Sequence, residues 1–255
     1  MRYGEYSLQG SRSSQQDAAA CEMSDSGILL AGVFDGMGGM EGGELASNEA
    51  RQLIFQQFSL FPPTSAEAVS WLRGAITQAD RHVASLKNTQ GQPLGGGTTC
   101  VLILADEEGF YWASVGDSGI YLLRQGMFMG VNRLHNFNLQ LGMMRDRGEI
   151  GEADAQRLGT KGEALISYLG IGNLPLLDTS AEKVAWMPGD IVILCSDGLY
   201  KSLNMEQIQA IVDESGGSMQ LAAKRLCHEA ARLCPGKQDN VTVITVGYGL
   251  SLEER

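Results

Sequence analysis

Aspartate recurs in this chain where short apolar runs begin or end. Asp35 follows Ile28 to Phe34 and is trailed by Gly36-Met37-Gly38-Gly39. Asp117 follows Phe110 to Val115 within Val115-Gly116-Asp117-Ser118, and Asp197 follows Ile191 to Cys195 within Cys195-Ser196-Asp197-Gly198. Asp17 and Asp239 stand on the other side of their runs, Asp17 before Ala18 to Cys21 and Asp239, with Asn240, before Val241 to Val246. In an antiparallel sheet the exits of some strands and the entries of their neighbours share one edge, so all five carboxylates can converge. Converging carboxylates repel, and at a few ångströms they either keep protons or hold cations. An all-oxygen donor set selects hard ions such as Mg²⁺, Mn²⁺ or Ca²⁺ over zinc. One Asp-Gly after a strand is first of all a turn; five such placements favour a cation site. The glycines after Asp35 also let a main-chain carbonyl approach an ion closely.

The apolar runs that carry these residues are rich in Val, Ile and aromatics and read as strands: Ile28 to Phe34, Thr99 to Ala105, Phe110 to Val115, Ile120 to Leu123, Ile191 to Cys195 and Val241 to Val246. Between the first two lie two helical patterns. The first covers Gly43 to Phe58, with Ala46, Ala50, Leu53, Ile54 and Phe58 on one face, and stops at Pro62-Pro63. The second opens on the capping box Thr64 and Glu67 and repeats Val69, Leu72, Ile76, Ala79, Val83 and Leu86. A third helix is expected over Met219, Ala222, Leu226, Ala230 and Leu233, before the last strand. The charged, Gly-containing segment from Gly142 to Gly162 reads as a partly helical surface excursion, either a lid or a solvated connector. Gly95-Gly96-Gly97 is followed by a strand and by no Lys-Ser or Lys-Thr, so it reads as a turn and not as a phosphate cradle.

A chain of 255 residues, 44% hydrophobic, has enough apolar material for one substantial core, and no repeat or low-complexity tract divides it. The formal net charge of −11 offers no basic field to nucleic acid or to an anionic membrane, so neither partner is expected. It also opposes a phosphate, so phosphate chemistry here requires metal. No apolar run approaches the ~18 residues of a membrane span, and Met1 to Glu5 lacks a signal-peptide core, which points to the cytoplasm. Five cysteines, Cys21, Cys100, Cys195, Cys227 and Cys234, contain no C-x-x-C pair and read as buried free thiols. His82 and His228 fall on helical patterns and read as surface or satisfied core residues.

The ordered set Gly10-Ser11-Arg12, Gln16-Asp17, Val33-Phe34-Asp35-Gly36-Met37-Gly38-Gly39, Gly97-Thr98-Thr99, Val115-Gly116-Asp117-Ser118, Cys195-Ser196-Asp197-Gly198-Leu199 and Asp239-Asn240-Val241-Thr242 resembles the PPM (type 2C) metal-dependent Ser/Thr protein phosphatases, particularly their bacterial branch. The likeness runs from about Tyr3 to Val246. It implies an α+β fold, an αββα sandwich of two antiparallel sheets flanked by helices, as a single domain over 1–255 with the 142–162 excursion as its flap. It implies two core Mn²⁺ or Mg²⁺ ions and a weaker third. By motif position Asp35 bridges the two core ions, Asp197 and Asp239 complete the first site, and the Gly36 carbonyl with Asp17, directly or through water, serves the second. Asp117 and Asp197 match the pair that holds the third ion, and Arg12 matches the arginine that binds the substrate phosphate, a role suited to a two-pronged guanidinium. The implied reaction is in-line displacement at a phosphoserine or phosphothreonine by a water bridging two metals, with no phosphoenzyme. Phosphorylated proteins, with a Ser/Thr protein kinase and its substrates, are the implied partners of a monomeric enzyme.

Four positions depart from the family pattern. Gln16 stands where many members have glutamate and gives the second site less charge. Met37 replaces a histidine proposed as general acid in eukaryotic members, so another proton donor, a metal-bound water, is implied. Gly119 replaces an arginine, and Leu134 replaces an aspartate before the histidine matched by His135, for which a structural hydrogen bond is the favoured role. Two other functions remain open on this sequence: a non-catalytic phosphoprotein-binding regulatory module, and a small-molecule phosphomonoesterase.

Overall fold

Period-two alternation along the apolar runs gives each strand two buried faces, and that decides the layering. In β3 (Leu29–Gly38), Leu29, Ala31 and Val33 enter one apolar cluster while Leu30 and Phe34 enter another. In β11 (Ile191–Cys195), Val192 and Leu194 share the first cluster, and Ile191, Ile193 and Cys195 turn to a third. Strands buried on both faces require a layer on each side. The structure, a computed structural model describing residues 1–39, 42–158 and 162–250, supplies those layers as an αββα sandwich.

One sheet contains β1 (Arg2–Leu8), β7 (Gly119–Arg124), β8 (Met127–Gly130), β11 and β12 (Val241–Gly247), in the order β1-β12-β11-β7-β8. The other contains β2 (Asp17–Met23), β3, β5 (Cys100–Ala105), β6 (Gly109–Val115) and β10 (Val184–Ala185), in the order β10-β6-β5-β3-β2. On its edges β4 (Gly96–Thr98) pairs with β3 and β9 (Asp178–Thr179) pairs with β6. Every described pairing is antiparallel. Leu29, Val33, Val101, Ile103, Phe110, Ile120, Val192, Leu194 and Ile244 fill the space between the sheets.

Helix α1 (Gly42–Leu60) and α2 (Ala68–Ser85) cover the larger sheet with the stripes expected from sequence, Ala46, Ala50, Ile54 and Phe58 from one and Leu72, Ile76, Ala79 and Val83 from the other. Full burial of side chains such as Phe58 and Leu72 contributes ~1.5–3 kcal/mol each. The Thr64–Glu67 capping box is present, but it opens a 3₁₀ turn over Ser65–Glu67 that leads into α2. The smaller sheet is covered by α7 (Met219–Leu233), with α5 (Asp197–Tyr200) and α6 (Met205–Asp213) beside it. The excursion forms α3 (Phe137–Asp146) and α4 (Glu152–Leu158), tied by an Arg145–Glu152 ion pair at 3.2 Å; its residues 159–161 lie outside the described residues.

Several expectations need correction. Gly96 and Gly97 belong to strand β4 and not to a turn. A Cβ on Gly96 would meet the Gly42 backbone at 2.5 Å and one on Gly97 the Tyr168 ring at 2.5 Å, so glycine here serves close packing. Cys21 and Cys234 are only half-buried, although all five thiols are free. Among the described residues no helix is long and apolar enough to cross a membrane.

Candidate metal centre and phosphate site

Strand register gathers the motifs at one end of the sandwich. Asp17 lies directly opposite Asp35 across the β2–β3 pair. Cys195 pairs with both Gly119 and Val243, so Asp117, Asp197 and Asp239 all lie just beyond the same end of the smaller sheet. Leu8 pairs with Val241, and the chain therefore leaves β1 at that end too, carrying the loop with Arg12 across it. Arg12, Asp35, Gly36, Asp117, Asp197 and Asp239 line one open cavity of about 540 Å³. Asp17 does not line it; it sits behind Asp35 and is buried.

The main chain around these residues is held by their motif neighbours. Asp35 N–H donates to Thr99 Oγ1 at 3.0 Å, and its carbonyl accepts from Thr98 Oγ1 at 3.0 Å and Thr99 N–H at 2.9 Å. Thr99 Oγ1 also shares a hydrogen bond with Ser118 Oγ at 2.6 Å, linking the Asp35 and Asp117 turns. Asn240 is the clamp on the Arg12 loop: its Nδ2 donates to Gln9 O at 2.8 Å and Ser14 O at 3.0 Å, and its Oδ1 accepts from Gln16 N–H at 2.8 Å. The glycine after Asp35 is enforced by packing, because a Cβ on Gly36 would meet Gly43 O at 2.3 Å and Gln16 O at 2.4 Å. The glycine after Asp197 is enforced in the same way, by Asn240 O at 2.1 Å.

Crowding sets the electrostatics. Burial, and then the charges of Asp17, Asp197, Asp117 and Asp239, hold the Asp35 carboxyl well above its ordinary range. Burial likewise raises Asp17, against the pull of Ser196, whose hydroxyl donates to Asp17 Oδ2 at 2.7 Å. Asp117 is pushed up to about 6, by burial first and by the Asp197 charge second, with Lys201 pulling the other way. Three carboxyls that resist ionisation on one edge are a site short of positive charge.

Two side chains at the rim meet part of that demand. Arg12 Nη2 reaches Asp239 Oδ2 at 2.6 Å, and Lys201 Nζ reaches Asp197 Oδ2 at 2.7 Å. Among the described residues no three carboxylates are drawn onto one point, because Asp239 is turned to Arg12, Asp197 to Lys201 and Asp17 to Ser196. The donor set nevertheless fits divalent ions: among the described residues Asp17 Oδ1 is buried without a hydrogen-bond partner, and the cavity wall offers oxygen donors with no Cys or His.

The departures from the family pattern have physical counterparts. A side chain on Gly119 would strike the Tyr121 ring at 2.5 Å, and that ring stacks on Phe128. With Leu134 in place of an aspartate, Asp178 faces the buried His135, its Oδ2 3.2 Å from Nε2, while Arg133 grips the same carboxylate at 2.9 and 2.7 Å. Burial lowers the His135 pKa, and Gly116 N–H points at its Nδ1 from 3.3 Å, so His135 is a neutral structural residue outside the cavity. Met37 lines the cavity without a proton to give. Sequence reasoning missed Lys201 and Glu163 on the wall and the clamp role of Asn240. The i, i+4 spacing of Asp197 and Lys201 was the available signal for the first; Glu163, at the end of an excursion without strong periodicity, carried none.

The sandwich and its acidic end define a class, αββα proteins that hold divalent cations in a multi-carboxylate notch. Residues 6–225 match the family described as Protein phosphatase 2C, and the chain belongs to that family. The serine/threonine phosphatase stp of Listeria monocytogenes serovar 1/2a is 29% identical over 231 residues, covering 88% of this chain and 86% of the relative. The structure of the S. agalactiae serine/threonine phosphatase superposes with a TM-score of 0.83 at 22% identity, over 97% of this chain and 99% of that one. The catalytic domain of the serine threonine protein phosphatase PstP, in complex with two manganese ions, is 26% identical with a TM-score of 0.74, over 96% of each chain.

Proposed function

We propose that this protein is a metal-dependent phosphatase acting on phosphoserine and phosphothreonine in proteins. The observation that carries the reading is the convergence of Asp35, Asp117, Asp197, Asp239 and the Gly36 main chain on one cavity, with a guanidinium at its mouth. The family and the two manganese ions of the PstP complex support it. Asp35 would bridge two ions, Asp197 and Asp239 would complete one site, and the Gly36 carbonyl, backed by Asp17, would serve the other. When bound, Mn²⁺ or Mg²⁺ supplies charge neutralisation and a water acidified enough to attack phosphorus.

The chain's own residues do the rest. Arg12, its side chain 63% exposed and anchored among the described residues through Asp239, can swing its fork onto a phosphate at the rim while Asn240 keeps its loop in place. The clamped loop would hold the phosphate at the rim of the carboxylate-lined cavity, which is a positioning effect. Met37 leaves the leaving alkoxide to be protonated from solvent at the open mouth. The open cavity admits an extended phosphopeptide. The chain works as one domain, as a monomer in the cytoplasm where free thiols persist, and it opposes a Ser/Thr protein kinase on shared substrates. Turnover of a phosphothreonine peptide, a nucleotide and an aryl phosphate at equal metal tests the reading. A peptide kcat/KM that is the highest of the three is expected; a preference for the nucleotide overturns the protein-phosphatase assignment, and no turnover of any supports a binding module.

A further inference from the structure

The turn that begins at Asp197 places a fixed cation inside the acidic notch. Lys201 N–H donates to Asp197 O at 3.0 Å, closing one helical turn, and the i, i+4 relation lays the lysine side chain back along Asp197. Its Nζ stands 2.7 Å from Asp197 Oδ2 and 3.2 Å from Glu163 Oε2. The residue before it, Tyr200, donates its hydroxyl to Asp117 O at 2.9 Å, so the Asp117 turn is fastened to the same helical turn. Asp117, Glu163, Asp197 and Lys201 line the same cavity. The Lys201 side chain is 38% exposed, that of Asp197 17% and that of Glu163 74%, so the ammonium stands at the solvent-facing side of the cavity wall with Asp197 beneath it.

Asp117 and Asp197 are the two carboxylates expected to share a third divalent ion. We propose that the Lys201 ammonium serves as the cation at that position, between Asp197, Glu163 and the Asp117 turn, so that the protein binds two divalent ions and not three. This rests on the two-ion reading given above and deepens it. An ammonium offers three donors on a flexible stem and is already beside two carboxylates, so it neutralises them without the loss of hydration that an incoming Mg²⁺ or Mn²⁺ must undergo. A divalent ion arriving at the same carboxylates would meet a like charge at contact range in a partly shielded site, where repulsion is far stronger than in bulk water. Lysine cannot acidify a water as a metal does, so its contribution is charge and position. Lys201 is therefore a positioning residue that sets metal stoichiometry.

The test counts ions. Metal-free protein is titrated with Mn²⁺ up to millimolar concentration by calorimetry, with free Mn²⁺ followed in parallel by electron paramagnetic resonance. Wild type is expected to take up two ions per chain, and Lys201→Met a third, bound at least tenfold more tightly than any third ion in wild type. Lys201→Arg, which keeps the charge and guards against a folding defect in the methionine variant, is expected to hold two. Three ions in wild type, or two in a folded Lys201→Met, overturn the proposal. Wild type that binds no Mn²⁺ overturns the two-ion reading and this proposal with it, an outcome distinct from either.

Discussion

Replacing Arg12 with alanine removes a group that the structure places at the mouth and not on the floor of the site. In the free protein Arg12 is paired with Asp239 at 2.6 Å, with the two side chains 63% and 39% exposed. An exposed pair of this kind is worth ~0.2–1 kcal/mol, and a charge-assisted contact to phosphate ~1.5–3 kcal/mol, so exchanging the first for the second gains roughly 0.5–2.8 kcal/mol. The expected loss in kcat/KM for a phosphothreonine peptide is therefore roughly 2- to 100-fold, carried by KM, with a share in kcat if the contact tightens in the transition state. Arg12→Lys should recover only part, since an ammonium lacks the planar pair of donors. On the proposed assignment of Asp239 as a metal ligand, Arg12 and metal compete for the same carboxylate, and removing Arg12 should leave Mn²⁺ affinity unchanged or slightly higher. Steady-state kinetics and Mn²⁺ titration on the same preparations check both statements. Wild-type kcat/KM in Arg12→Ala, or weaker Mn²⁺ binding, would refute the reasoning.

Asp35→Asn should lower kcat on the order of a thousandfold while the metal-free protein melts at or above the wild-type temperature, because the change removes the most crowded charge of the ring; a lower melting temperature in chelator would count against that electrostatic account. For Asp117, whose carboxyl rises from 3.8 to about 6 on folding, the stabilisation is complete below pH ~4 and is lost as pH climbs through 6 in metal-free protein. Asp117→Asn lacks that term, so the stability of wild type relative to the mutant should fall between pH 4 and 6 when both are melted in chelator, and parallel curves would contradict it. Gly36→Ala must push the Gly43 and Gln16 carbonyls aside and should cost ~1–3 kcal/mol in urea unfolding; an unchanged midpoint would show that the close approach is relaxed in solution.

Fold and site were legible to different depths. The strands buried on both faces, such as Ile191 to Cys195, announced themselves as continuous apolar runs, and the stripes of α1, α2 and α7 as helical periodicity. Strand β1 escaped because it is an edge strand: Tyr3 and several neighbours face solvent, and its pairing to β12 is a main-chain affair with little side-chain signature. Strands β9 and β10, two residues each, are set by register against β6 and by no local pattern. Asp17, Asp117, Asp197 and Asp239 were readable as strand termini, but Asp35 lies inside β3, which runs on to Gly38 because Gly36 to Gly38 pair with β4. The contacts that hold them were not readable, since Asn240 bonding to Gln9 and Ser14, or Lys201 to Glu163, joins residues distant in sequence.

The central claim, that this acidic notch hydrolyses phosphoproteins only with divalent metal, is tested most directly by one assay. Phosphate release from a phosphothreonine peptide is followed in protein stripped by chelator, then after stepwise return of Mn²⁺. The account predicts no turnover above background in the stripped protein and recovery that saturates with Mn²⁺; undiminished hydrolysis in the stripped protein would contradict it.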